Sequence, residues 1–108
     1  MHRLLVLYPP PTDPGAFRAY YEATHLPLAK KLPGLRRFSC GFDVTALGGD
    51  TPYFCVFQAD FDDAGALDAA LASPEGEATA ADVPNYATGG AVLLRYDVSE
   101  GTPATTDR

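Results

Sequence analysis

Residues 53–61 read YFCVFQADF, and which sides of this stretch are apolar sets its place in a sheet. Cys55, Phe57, Ala59 and Phe61 alternate along one side, yet Phe54 and Val56 between them are apolar as well. A strand apolar on both faces needs cover on both, which puts it at the centre of a sheet. Just upstream, residues 36–45 alternate: Phe38, Cys40, Phe42 and Val44 on one side, Arg37, Ser39, Asp43 and Thr45 on the other. That pattern reads as a strand with one wet face, joined to the central one through a turn at Gly48, Gly49, Asp50 and Pro52.

Arg3–Tyr8 (RLLVLY) is a continuous apolar run stopped by three prolines, and Ala91–Tyr96 (AVLLRY) is a second such run after Gly89-Gly90. Both read as strands. Between the first strand and the alternating one, Asp13 offers a helix N-cap with Pro14 at the first helical position. Phe17, Tyr20, Tyr21, Thr24 and Leu28 then share one helical face. Pro27 has no N–H for the carbonyl of Ala23, so the regular helix is expected to end or kink near His25, with one more turn to Lys31. In the second half, Asp62 or Asp63 caps an alanine-rich helix, Ser73-Pro74 restarts it, and Val83-Pro84 closes it.

The order strand, helix, strand, strand, helix, strand is an α+β, ferredoxin-like βαββαβ pattern with a four-stranded antiparallel sheet. Two helices cover one face, while at least three strands are apolar on both. An uncovered second face would exceed the few hundred Å² that soluble monomers tolerate, so a second copy is expected against it, making a homodimeric α+β barrel. Residues 1–98 form the expected domain, and the polar SEGTPATTDR at 99–108 reads as a loose tail.

Eight Lys and Arg against fourteen Asp and Glu give the 108-residue chain a formal net charge of -6, which argues against nucleic acid and anionic membranes as partners. The opening apolar run is too short for a signal segment or a membrane span. Cys40 and Cys55 lie in apolar strands without metal spacing and read as buried thiols of a cytoplasmic protein. No metal site is expected, because His2 is terminal and the acidic residues are scattered.

His25 lies one helical turn after Tyr21, at the flank of the apolar stripe. It reads either as a cap on the helix C-terminus or as the protonatable group of a pocket with aromatic walls. Beyond this spacing, Tyr21-x-x-x-His25-x-Pro27-Leu28 and Ser73-Pro74-Glu75-Gly76 resemble the EthD family, named for ethyl tert-butyl ether degradation, and the likeness runs from about Leu4 to Tyr96. That resemblance implies a dimeric α+β barrel and makes His25 the leading candidate for acid/base chemistry. Related barrels include cofactor-free monooxygenases, muconolactone-type isomerases and polyketide-modifying enzymes.

The expectation is therefore an enzyme without cofactor, of oxidoreductase or isomerase type, acting on a small hydrophobic or aromatic compound in a degradation or secondary-metabolite pathway. His25 would move the proton, with Tyr21 or Tyr20 orienting it or binding a substrate oxygen. Phe17, Tyr20, Phe38, Phe54, Phe57 and Tyr86 are candidate substrate-binding walls. The alternative is a non-catalytic protein that holds a hydrophobic ligand, or haem through His25.

Overall fold

The computed structural model describes residues 1–104. The last four positions of the expected tail lie outside the described residues. Strand β1 (His2–Tyr8) is followed by helix α1 (Pro14–Tyr20), a wide π turn (Tyr21–His25) and helix α2 (Leu26–Ala29). Then come β2 (Arg37–Gly41), β3 (Cys55–Phe61), α3 (Ala64–Ala72), α4 (Pro74–Asp82), a 3-10 turn (Val83–Asn85) and β4 (Val92–Asp97). The sheet is antiparallel in the order β2-β3-β1-β4, so β3 is internal as expected, with Cys55, Phe57, Ala59 and Phe61 on the helix side and Val56, Gln58 and Asp60 on the other.

Local sequence sets the helix starts. The Asp13 and Asp63 carboxylates accept from the N–H groups of Ala16 and Ala66, and the Ser73 hydroxyl accepts from Gly76 N–H. Each satisfies an orphan donor of a first turn. Gly76 has a second reason to be glycine: a Cβ there would stand 2.7 Å from the Leu71 carbonyl oxygen and closer still to that of Ala70. The Ser-Pro-Glu-Gly opening is thus a close crossing of α4 over the end of α3. Gly89 is similar, since a Cβ would come within 2.8 Å of the Pro10 carbonyl oxygen.

Several boundaries differ from expectation. Strand β3 begins at Cys55 rather than Tyr53, which leaves Phe54 outside it, among the helix-side aromatics against Phe17. The break expected near His25 takes the form of a π turn, not a stop: regular α-helix gives way after Tyr20, backbone angles stay helical to Lys30, and the Leu26 N–H reaches back five residues to Tyr21 O. Widening the turn moves the carbonyls out of the way of the Pro27 ring, so proline is absorbed rather than obeyed as a stop. One consequence is that Thr24, expected on the apolar face, is exposed. Strand β2 stops at Gly41 instead of Thr45 because Asp43 adopts φ 57°, a left-handed conformation incompatible with an extended strand.

One face of the sheet carries the core. Leu4, Val6 and Tyr8 of β1 and Cys55, Phe57, Ala59 and Phe61 of β3 pack under Phe17, Tyr21, Ala29, Leu67 and Ala70 of the helices. Tyr8, Phe17, Tyr21, Phe42, Phe54 and Tyr86 form an aromatic cluster, mostly edge-to-face at centroid distances from 5.1 to 6.5 Å. Such pairs contribute roughly 0.5 to 1.5 kcal/mol each beyond area burial. The opposite face bears Leu5, Leu7, Val56, Val92, Leu94 and Tyr96, of which Leu94 is 47% and Tyr96 42% exposed. Its other end holds Asp60, 3% exposed, clamped by Arg3 Nε at 2.7 Å and Arg37 Nε at 2.8 Å.

Gly65 and Gly76, one in each helix of the second half, predict opposite outcomes. Gly76→Ala forces a methyl into backbone carbonyls and lowers unfolding free energy by about 1–3 kcal/mol. Gly65→Ala meets only the Asp63 carboxylate at 3.5 Å and raises it by up to about 1 kcal/mol. Urea unfolding of both variants checks this; equal behaviour would contradict the crossing geometry.

Candidate active site

His25 comes inward because the π turn carries one extra residue, which rotates the following side chains relative to a regular helix. The ring is 4% exposed and lies against Tyr86 at a centroid distance of 4.7 Å and Tyr21 at 5.0 Å. Its Nδ1 meets Oδ2 of Asp82 at 3.0 Å. Asp82 ends α4, is 7% exposed, and receives at Oδ1 the hydroxyl of Tyr20 at 2.6 Å and the amide of Asn85 at 3.0 Å. A carboxylate only accepts, so the His25 bond places a proton on Nδ1 and leaves Nε2 with a lone pair.

Burial pushes the His25 imidazole below its ordinary value, with Asp82 offsetting part of the effect, so the ring is neutral at pH 7. Burial pulls the Asp82 carboxyl upward, but the donors from Tyr20, Asn85 and His25 outweigh it and hold the group below the ordinary carboxylate range. The result is an ionised aspartate beside a neutral imidazole.

His25 lines an apolar cavity of about 70 Å³ with Leu4, Val6, Tyr8, Phe57 and, at its outer side, Leu71 and Leu93. Among the described residues, Tyr21 Oη is the sole fully buried side-chain N or O atom without a hydrogen-bond partner. Among the described residues nothing bonds His25 Nε2, the ring atom left over on the side chain that lines this cavity. Leu71 and Leu93 are 38% and 58% exposed, so the cavity opens between them.

The residues singled out from sequence fall on two sides of an aromatic wall. Phe57 joins His25 at the inner cavity. Phe17, Tyr20 and Tyr86 instead line an outer cleft of about 210 Å³ with Asp13, Asn85 and Thr88. Phe54 stands behind Phe17 at 5.3 Å and Phe38 stacks on Phe57 at 6.1 Å; neither borders either space. Tyr21 offers His25 its ring, not its hydroxyl, which is sealed in the core and driven upward in pKa by burial and the Tyr8 hydroxyl. The group that orients His25 is Asp82, which sequence reasoning passed over. One signal for it existed: an aspartate in the last turn of a helix sits where the macrodipole repels it, and such a placement calls for a compensating contact.

Cys55 is buried, its thiol pushed up to about 12 by burial, and Cys40 is half-buried; both are free. Among the described residues, no three His, Cys, Asp or Glu side chains converge as metal ligands would, and no helix is long and apolar enough to cross a membrane.

The EthD domain pattern matches residues 9–90. An uncharacterised 11.0 kDa protein of the thcB-thcC intergenic region of Rhodococcus erythropolis is 38% identical over 98 residues, 90% of this chain and 94% of that protein. The crystal structure of an EthD family protein from Bacillus halodurans superposes with a TM-score of 0.85 at 30% identity, over 92% of this chain and 99% of that one. SnoaB, a cofactor-independent oxygenase from Streptomyces nogalater, shares the fold at a TM-score of 0.64 and 17% identity, over 95% of this chain and 97% of its own. With the Tyr-x-x-x-His-x-Pro-Leu and Ser-Pro-Glu-Gly segments inside the matched region, the chain belongs to the EthD family.

Proposed function

We propose that this chain is a cofactor-free acid/base enzyme for a small hydrophobic or aromatic compound, working as a homodimer, with His25 as the proton-transfer group. The observation that carries this reading is a neutral, buried imidazole on the wall of an apolar cavity, with Nδ1 bonded to an ionised aspartate and Nε2 without a partner among the described residues. Nε2 would take a proton from a hydroxyl, or from a carbon next to a carbonyl, and the imidazolium so formed would pair with Asp82. Returning that proton to another atom of the same anion is an isomerisation. Exposing an electron-rich anion to dioxygen instead gives the oxidoreductase variant, for which SnoaB is a precedent on the same fold.

The inner cavity alone is smaller than the roughly 150 Å³ that accommodates benzene in an engineered core. A substrate would thus present its reacting group to His25 and lay the remainder across Leu71 and Leu93 at the mouth. Haem, far larger, has no comparable space beside His25, so a non-catalytic role would be confined to a small hydrophobic ligand in the same cavity.

The assembly reading rests on the open sheet face. Leu5, Leu7, Val56, Val92 and Leu94 form a contiguous apolar band there, which a second copy would bury in the manner of a domain core.

Three outcomes are expected. His25→Ala lowers turnover of the true substrate by about 10² to 10⁴-fold, as loss of a general acid or base does. A panel of small phenols and aryl ketones, followed by absorbance in air without added metal or nucleotide, is the starting assay; a change within about threefold would rule His25 out of the chemistry. The second outcome concerns pH. A histidine whose folded pKa is depressed binds fewer protons folded than unfolded, so its stabilisation is full above about pH 6.5 and is lost as pH falls below that value. Tm of the native protein therefore declines from pH 7 to 5, and His25→Gln flattens the decline; parallel curves would show that another group titrates. Finally, sedimentation velocity finds a dimer at micromolar concentration and a monomer for Leu94→Arg, whereas a native monomer would refute the assembly.

A further inference from the structure

The outer cleft and the His25 cavity share no lining residue, yet one chain of hydrogen bonds crosses the wall between them. Tyr20 borders the cleft, half-buried and stacked on Tyr86 at 5.8 Å. Its hydroxyl donates to Asp82 Oδ1 at 2.6 Å, and the Asn85 amide donates to the same oxygen at 3.0 Å. Asp82 Oδ2 is left to His25 Nδ1 at 3.0 Å.

We propose that Tyr20 is a positioning residue for His25, acting through Asp82 from the far side of the wall. The two donors on Oδ1 hold the carboxylate against rotation, which keeps Oδ2 in line with Nδ1 and locks the imidazole in the Nδ1–H tautomer. Nε2 is thereby the only ring atom open to a ligand. This rests on the proposed acid/base role of His25 for its importance, though not for its physical content.

A carboxylate has two equivalent oxygens, so the lock is best exposed by breaking their symmetry. In Asp82→Asn the hydroxyl of Tyr20 and the amide of Asn85 still demand an acceptor at the Oδ1 position. The new amide must then put its carbonyl there and its NH₂ toward His25. Facing a donor, Nδ1 has to give up its proton, and the ring converts to the Nε2–H tautomer. With Tyr20→Phe added, the amide loses its main anchor and both tautomers appear.

Long-range ¹H–¹⁵N correlation spectra of the uniformly labelled full chain read this directly, His25 being distinguished from His2 by the His25→Gln spectrum. The expected results are Nδ1–H in the native protein, Nε2–H in Asp82→Asn, and a mixture in the double variant. Tyr20→Phe alone keeps Nδ1–H but exchanges that proton with solvent about tenfold faster, the effect of losing one charge-assisted hydrogen bond. An Asp82→Asn spectrum that retains Nδ1–H, or an exchange rate unchanged by Tyr20→Phe, overturns the proposal. Should Asp82→Asn fail to fold, the exchange rate in Tyr20→Phe decides alone. Full turnover by His25→Ala would remove the catalytic reading and leave the tautomer lock standing, so the two failures are distinguishable.

Discussion

Pro27 has no amide hydrogen, and the arrangement of the site follows from how the helix deals with that. A regular turn would drive the proline ring into the carbonyl of Ala23. The chain instead makes a five-residue reach from Leu26 N–H to Tyr21 O and continues as helix to Ala29. The widened turn delivers His25 to the inside of the helix layer, where an imidazole loses nearly all its water. A buried polar ring needs partners, and Asp82 at the end of α4 supplies one. Thus one missing donor leads by steps to a buried His–Asp pair built from segments 57 residues apart.

The two buried aspartates show what this pair is suited for. Asp60 is held by two guanidiniums and its carboxyl is brought down to about 2, chiefly by Arg3 against the opposing pull of burial, with Arg37 assisting. Its charge is fully answered within the folded chain, and it has nothing left to offer. Asp82 is held by a phenol, an amide and a neutral imidazole, all of them uncharged donors. Its negative charge stays uncompensated until His25 gains a proton. A structural salt bridge would be built like the first; a site that must accommodate a transient cation is better built like the second.

Much of the fold was legible because its signals are local. The apolar alternation from Cys55 to Phe61 marked an internal strand, and Asp13, Asp63 and Ser73 cap helices as their spacing to the following N–H groups demands. The ferredoxin-like order followed from strand and helix periodicity alone. What escaped was non-local or conformationally rare. A break near His25 was legible from Pro27, but its form, a π turn that continues into helix, was not, because a proline usually stops a helix. The role of Asp82 depends on a contact that no spacing rule expresses, and the division of Phe17, Tyr20 and Tyr86 from Phe57 by an aromatic wall depends on three-dimensional packing. Asp43 ended β2 early through a single positive φ, which alternating hydrophobicity does not report.

Assembly and access to the site meet at one strand. β4 is exposed along its whole length, and its neighbouring positions point to different spaces: Leu93 pairs with Val6 on the helix side and borders the His25 cavity, while Leu94 pairs with Leu5 on the open face. As an outer strand it also presents unpaired backbone groups on one flank. In the proposed dimer a twin sheet covers Leu94 and its neighbours, and its border lies within a residue's reach of the cavity mouth at Leu93. Burial of the open face would then fix β4, and with it one wall of the mouth, without adding any group to the His–Asp pair. On the proposed reading, chemistry would be set inside one subunit by Asp82 and His25, whereas the shape of what can enter would be set at β4, beside the face that a second copy covers.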